Sequence, residues 1–314
     1  MTLTELNLSL SSLCTANCIF CPSNRGERIK EKFMSFELVK KLIDEVSSPE
    51  FKKEHTITSI QLGENGDAFM NPDFLSILIY IKKKLPDVKT KIFTNFRLCD
   101  EKMSKIILEQ NLIDEIGCNI DSVSPEQYYE IKKLDSKIVF KNFVDFINQR
   151  NILQKKIPMT VNVLSLNTYL RFVYGRFGFI PTKIEDIELL RVRDDTKETI
   201  KALQPLLYFD FDVICATKPF CWAERSKIDK SNINYEAITC PKIKSLDNSI
   251  FVAPNGIWYA CCLDSNNELE FGNLKEQTIL EVYNSYKRNS LIDRIKDKQF
   301  KSIGSPCDTV IACL

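Results

Sequence analysis

Three cysteines within eight residues, Cys14-Thr15-Ala16-Asn17-Cys18-Ile19-Phe20-Cys21, are the part of this sequence best suited to chemistry. Thiolates are soft ligands, and at this spacing one loop can wrap three corners of an iron–sulfur cubane. A fourth local cysteine is missing. In an electron-transfer centre that is a defect, but an iron without a protein ligand is open to a substrate or cofactor. The competing reading of the same residues is a zinc loop short of its fourth ligand.

The rest of the composition narrows the chemistry. There are 12 cysteines in 314 residues and one histidine, His55. A single imidazole excludes mechanisms that need two or three, among them most catalytic zinc sites, and His55, in the polar stretch Lys52-Lys53-Glu54-His55, is expected in a solvated loop. A formal net charge of +1 with no long basic run argues against a nucleic-acid or membrane partner. The amino terminus shows no signal-peptide pattern, and no apolar run reaches the roughly 18 residues of a spanning helix. The protein is therefore expected to be cytoplasmic, where a reducing environment makes clustered cysteines metal ligands or catalytic groups rather than disulfides.

The elements that must position these cysteines follow from periodicity. Alternation in Leu6-Asn7-Leu8-Ser9-Leu10 marks a first strand, with the cysteine loop just beyond it. Further β-rich runs recur at 56–62, 89–94, 113–120, 158–164 and 184–192. Helical patterns lie between them. Ser35 precedes Leu38, Val39, Leu42, Ile43 and Val46 on one helix face, Asn71-Pro72 carries cap and first-turn chemistry, and further helices are expected at 101–112, 125–133 and 140–151. Six strands alternating with helices predict parallel pairing, hence an α/β fold: a partial (β/α)6 barrel with its chemistry at the carboxyl ends of the strands. The expected domains are a barrel over 1–200, a bridging segment over 201–239 and a small cysteine-rich domain over 240–314. The last contains a hairpin around Pro254-Asn255-Gly256 and a helix near 277–296.

The Cys-x3-Cys-x2-Cys spacing, with aromatic Phe20 before the last cysteine, resembles the signature of the radical S-adenosylmethionine enzymes. The resemblance implies a [4Fe–4S] cluster on Cys14, Cys18 and Cys21, with S-adenosylmethionine chelating the open iron. Gly63-Glu64-Asn65-Gly66-Asp67-Ala68-Phe69-Met70-Asn71-Pro72 resembles the family's Gly-Gly-Glu-Pro segment near the methionine amino group, with Asp67 where glutamate is usual and Ala68 where proline is. Thr94-Asn95-Phe96 resembles its Thr-Asn-Gly, and Ile120-Asp121-Ser122 a segment near the ribose. Asn162 and Arg191, polar residues in apolar runs, are further candidates for the cofactor site.

The carboxyl-terminal cysteines narrow the resemblance. Cys240, fifteen residues, Gly256, four residues and Cys261, followed by Cys262-Leu263-Asp264, are similar to the opening of SPASM and twitch domains, which carry auxiliary iron–sulfur clusters. Cys240, Cys261, Cys307 and Cys313 would close one auxiliary [4Fe–4S] cluster, and Cys215 and Cys221 are available for a second. Cys118, within a strand, is expected to be a small buried hydrophobe. Tyr208, Phe209, Phe211, Phe220 and Trp222 are expected to pack as an aromatic bridge between domains.

Family members of this plan cleave S-adenosylmethionine to a 5′-deoxyadenosyl radical that takes hydrogen from a substrate carbon. The resemblance implies an oxidoreductase or epimerase, fed by an electron donor such as flavodoxin or ferredoxin. The first strand begins by about residue 5, leaving no room ahead of it for a peptide-recognition domain, which favours a sugar-like small molecule over a ribosomally made peptide. A non-catalytic iron–sulfur electron carrier is the reading from another class. Adjacent side chains on an extended segment point to opposite faces, so Cys262 is expected to face away from the auxiliary cluster and to be able to return hydrogen to a substrate radical.

Overall fold

The computed structural model describes residues 2–19, 21, 31–165, 193–217, 234–264 and 266–308. Within them, β1 (Glu5–Leu8), β2 (Ser59–Leu62), β3 (Lys89–Phe93), β4 (Glu115–Asn119), β5 (Met159–Leu164) and β6 (Val213–Thr217) pair in sequence order, each parallel to the next. The crossovers hold α1 (Phe36–Ser47), α2 (Phe74–Lys84), α3 (Glu101–Glu109), α4 (Pro125–Lys132) and α5 (Ser136–Ile152). The sheet remains open, as a partial barrel requires. The run at 184–192 lies outside the described residues. The sixth parallel strand among them is instead Val213–Thr217, within the stretch read from sequence as a bridge.

Local signals set most boundaries. Ser35 caps α1, accepting from the Leu38 N–H at 3.2 Å, and the five apolar residues expected on its face are buried. Asn71 has a different role from a cap. Its Nδ2 donates to the carbonyls of Leu10 and Met34, both at 2.8 Å, tying the loop after β2 to the chain beyond β1, and Asp73 takes the N-cap position of α2. The helix expected at 277–296 is two helices, Ile279–Tyr283 and Tyr286–Lys296. The break occurs where Ser285 accepts from the Arg288 N–H and starts the second.

Register sorts the strand side chains into two faces. Leu8, Leu62, Ile92, Ile116 and Met159 stand side by side and are buried in one continuous core with the helices. Cys118 belongs to this face and is 1% exposed, as a buried hydrophobe should be. The other, inner face carries two polar rows, with Phe93, Leu164 and Phe251 also on it. Asn7, Gln61, Lys91 and Glu115 form one row, and Asn119, Asn162 and Cys215 another.

The carboxyl-terminal hairpin does not stand apart. β7 (Ser249–Val252) runs parallel to β1, and β8 (Ile257–Tyr259) and β9 (Glu270–Asn273) follow antiparallel, so one nine-stranded sheet runs from β6 to β9. His55 is buried where the two parts meet, against expectation. Its Nδ1 accepts from the Leu3 N–H at 3.4 Å, its ring lies 4.6 Å from that of Tyr283, and burial lowers its basicity. Phe209 and Phe211 stack at 4.8 Å, with the Arg150 guanidinium 4.9 Å from the Phe209 ring; Phe220 and Trp222 lie outside the described residues. No helix among the described residues is long and apolar enough to cross a membrane.

Candidate active site

The cysteine loop leaves β1 and is pinned at both ends by backbone hydrogen bonds. Asn17 and Ile19 donate to the carbonyls of Lys132 and Ile131 at the end of α4, both at 2.9 Å, and the Cys21 N–H donates to the Cys18 carbonyl at 3.1 Å. Ala16 and Ile19 are buried, which leaves the half-buried cysteines on the loop's other side. The three thiols lie within electrostatic reach of one another. Burial pushes Cys14 up to about 11 and Cys18 up to about 12, so neither ionises at neutral pH without a positive partner. A bound cluster would supply that charge, and soft, clustered thiols suit it.

The next two loops are built around the first. Gly66 has φ +87°, and a Cβ there would stand 2.5 Å from the Leu13 carbonyl oxygen and 2.6 Å from that of Ser11. The backbone thus lies flat against the approach to Cys14, and the Asp67 N–H donates to Leu13 at 2.8 Å. Gly66→Ala is expected to lower folding stability by at least about 1–3 kcal/mol, the usual cost of a left-handed non-glycine residue. Urea unfolding of the metal-free protein checks this.

Asp67 is buried and accepts three hydrogen bonds: Phe69 N–H at 3.0 Å, Thr94 hydroxyl at 2.9 Å and Asn95 N–H at 3.1 Å. Burial raises its pKa while these donors pull it down. The carboxylate therefore joins the loop after β2 to the loop after β3. Asn95 in turn reaches the cysteine loop, its Nδ2 donating to the Cys14 sulfur at 3.3 Å and to the Thr15 hydroxyl at 3.0 Å. A donor on a ligating sulfur is among the means by which proteins tune iron–sulfur clusters. Sequence spacing shows Asn95 near the end of a strand but not this contact.

Beyond β4, Asp121 is 2.7 Å from the Lys132 ammonium, both buried, and accepts from the Leu164 N–H at 3.2 Å. The Ser122 hydroxyl donates to Asp195. Lys132, not singled out from sequence, is close enough to Cys18 to pull its thiol pKa down against burial. Asn162 stands on the inner face beside Asn119 and Cys215. Phe20, Arg191, Cys221 and Cys313 lie outside the described residues.

In the carboxyl-terminal part, Cys307 is within electrostatic reach of both Cys240 and Cys261, and burial pushes it up to about 12. Asp264 closes the turn after Cys262 by accepting from the Glu268 and Leu269 N–H groups at 2.8 and 2.9 Å. Cys261 is buried toward Cys307, whereas Cys262 is half-buried, with Lys242 and Glu64 within electrostatic reach. Among the described residues no three His, Cys, Asp or Glu groups stand close enough to hold a single metal ion.

Residues 8–164 match the model of the radical SAM superfamily, and residues 240–309 that of the SPASM iron–sulfur cluster-binding domain. No curated protein sequence matches at a significant level. Among solved structures, BtrN in complex with AdoMet and 2-DOIA superposes with a TM-score of 0.59 at 15% identity, over 98% of this chain and 92% of its own. The anSMEcpe enzyme with bound AdoMet gives 0.60 at 14%, over 93% and 80%. SuiB of Streptococcus suis bound to precursor peptide SuiA gives 0.55 at 15%, over 93% and 67%. At these identities the superpositions establish the fold; the family models, the first spanning half of the chain, establish descent. The chain belongs to the radical S-adenosylmethionine superfamily, and with that membership come a [4Fe–4S] cluster, S-adenosylmethionine and a carboxyl-terminal auxiliary iron–sulfur centre.

Proposed function

We propose that this chain oxidises or epimerises a hydroxylated, sugar-like small molecule, taking hydrogen from one of its carbons with a 5′-deoxyadenosyl radical. Cys14, Cys18 and Cys21 would hold the cluster, which when bound supplies the electron that splits S-adenosylmethionine into methionine and that radical. Gly66 and Asp67 shape the cofactor's seat, and Asn95 holds Cys14 in place. Flavodoxin or ferredoxin would be the electron donor.

The observation that carries the substrate reading is the inner face of the sheet. Its row of Asn7, Gln61, Lys91 and Glu115, the last two paired at 3.3 Å, with Asn119 and Asn162 beyond, sets amide and charged groups beside the rings of Phe93 and Phe251. Such a lining suits a ring carrying several hydroxyls. The structural neighbour BtrN, crystallised with 2-DOIA, supports this choice, and SuiB, crystallised with its precursor peptide, supports a peptide maturase or epimerase as the second reading.

The test is anaerobic turnover with dithionite and S-adenosylmethionine, comparing myo-inositol, glucosamine and 2-deoxystreptamine with a serine-containing peptide. A polyol that stimulates 5′-deoxyadenosine formation and loses two hydrogens, or gains one deuterium in deuterated water, is the expected result. Stimulation by the peptide alone would replace the substrate class, and no 5′-deoxyadenosine under any condition would leave a mere electron carrier. Cys262 decides between outcomes. If its thiol returns hydrogen to the substrate radical, Cys262→Ala abolishes deuterium incorporation while iron content is retained. Unchanged incorporation removes Cys262 from the mechanism.

A further inference from the structure

Glu64 follows β2 and folds back over the inner face, where Gln61 Nε2 donates to its carboxyl at 2.6 Å. Among the described residues this is its one hydrogen-bond donor. The contrast with Asp67, three residues on, is instructive: three protein donors hold Asp67, whereas Glu64 keeps lone pairs free for a bound molecule.

Its surroundings come from both parts of the chain. Glu5 of β1 and Lys242, just before the helix Ile243–Asn248, both act on it, and it acts in turn on Tyr259 and Cys262. Tyr259 is fixed by a 3.3 Å hydrogen bond with Ser9, and Lys242 also lies within electrostatic reach of Cys262. Burial, helped by the like charge of Glu5 and opposed by Lys242, pushes the Glu64 carboxyl up to about 7. At neutral pH it is thus present both with and without its proton, as an acid–base group needs to be.

We propose that Glu64 is the acid–base residue of the inner face, accepting the hydroxyl proton of a secondary alcohol as its carbon is oxidised to a ketone. This rests on the small-molecule reading above and selects its oxidative branch. The alcohol's C–H hydrogen passes to the deoxyadenosyl radical, its O–H proton to the Glu64 carboxylate, and the remaining electron to the auxiliary iron–sulfur centre, leaving C=O. Inversion requires no proton acceptor, only a second hydrogen atom, so dependence on Glu64 separates the two outcomes. Because the base is the ionised form, ketone formation rises with pH through about 7.

Two measurements test this on the reconstituted holoenzyme. Infrared difference spectra between wild type and Glu64→Gln, taken from pH 5 to 9, should show one carboxyl band disappearing with a midpoint near 7. A carboxyl already ionised at pH 5 overturns the proposal whatever the substrate. With the three polyols above as probes, Glu64→Gln should lower the ratio of ketone to 5′-deoxyadenosine by roughly 100-fold, because radicals that cannot lose the proton are quenched back to alcohol. An unchanged ratio at wild-type iron content also overturns it. If wild type turns over none of the polyols, the substrate reading fails, and the infrared titration alone decides the role of Glu64.

Discussion

Replacing Cys14, Cys18 and Cys21 together by alanine is expected to remove about four of about eight irons per chain and to abolish 5′-deoxyadenosine formation. The loss should be specific. The loop is held by backbone bonds from Asn17 and Ile19 to the end of α4 and by buried Ala16 and Ile19, none of which needs the thiols. The fold should therefore survive, and the remaining iron should belong to the auxiliary centre. Iron analysis with chromatography of the cleavage products makes the measurement. Retained S-adenosylmethionine cleavage in a triple variant verified by mass would sink the assignment of the cluster to these residues.

The second large effect is expected at the other end of the chain. Replacing Cys240 and Cys307 by alanine should remove the other four irons, leave the first cluster in place and lower the Tm by about 10 °C or more. These cysteines interact with one another across most of the carboxyl-terminal part, and Cys307 also interacts with Cys261. A metal centre joining them would cross-link the chain ahead of β7, the turn after β8 and the segment near residue 307, which are far apart in sequence, so its binding free energy adds to that of the buried core there. Because β7 pairs with β1, the loss should also loosen the edge of the main sheet, slowing but not abolishing S-adenosylmethionine cleavage. Unchanged iron content would show that Cys240 and Cys307 are not ligands.

Much of this was legible before any coordinates. The alternation of strands and helices, Ser35 as a cap and the position of the cysteine loop after β1 are local properties, set by side-chain period and by hydrogen bonds between residues a few positions apart. The cofactor was legible through resemblance, because the Cys-x3-Cys-x2-Cys spacing is local in the chain and marks a family whose members carry it. His55 was misjudged because its polar neighbours in sequence, Lys52, Lys53 and Glu54, suggest a solvated loop, whereas its ring packs against other groups. Those are Phe51, Leu3 and Tyr283, and only Phe51 is nearby along the chain.

What the sequence determined by itself is therefore the parallel α/β plan, the cysteines available to metal and the family they mark. The tertiary structure decided the rest. It placed β7 against β1, so that the carboxyl-terminal hairpin extends the main sheet. It set Asn95 on the Cys14 sulfur, paired Asp121 with Lys132, and brought Glu64, Lys242 and Cys262 within electrostatic reach of one another. Most of these are contacts between segments far apart in the chain, chosen by which arrangement buries the apolar face while satisfying the polar groups enclosed with it. No periodicity in the sequence encodes such a choice.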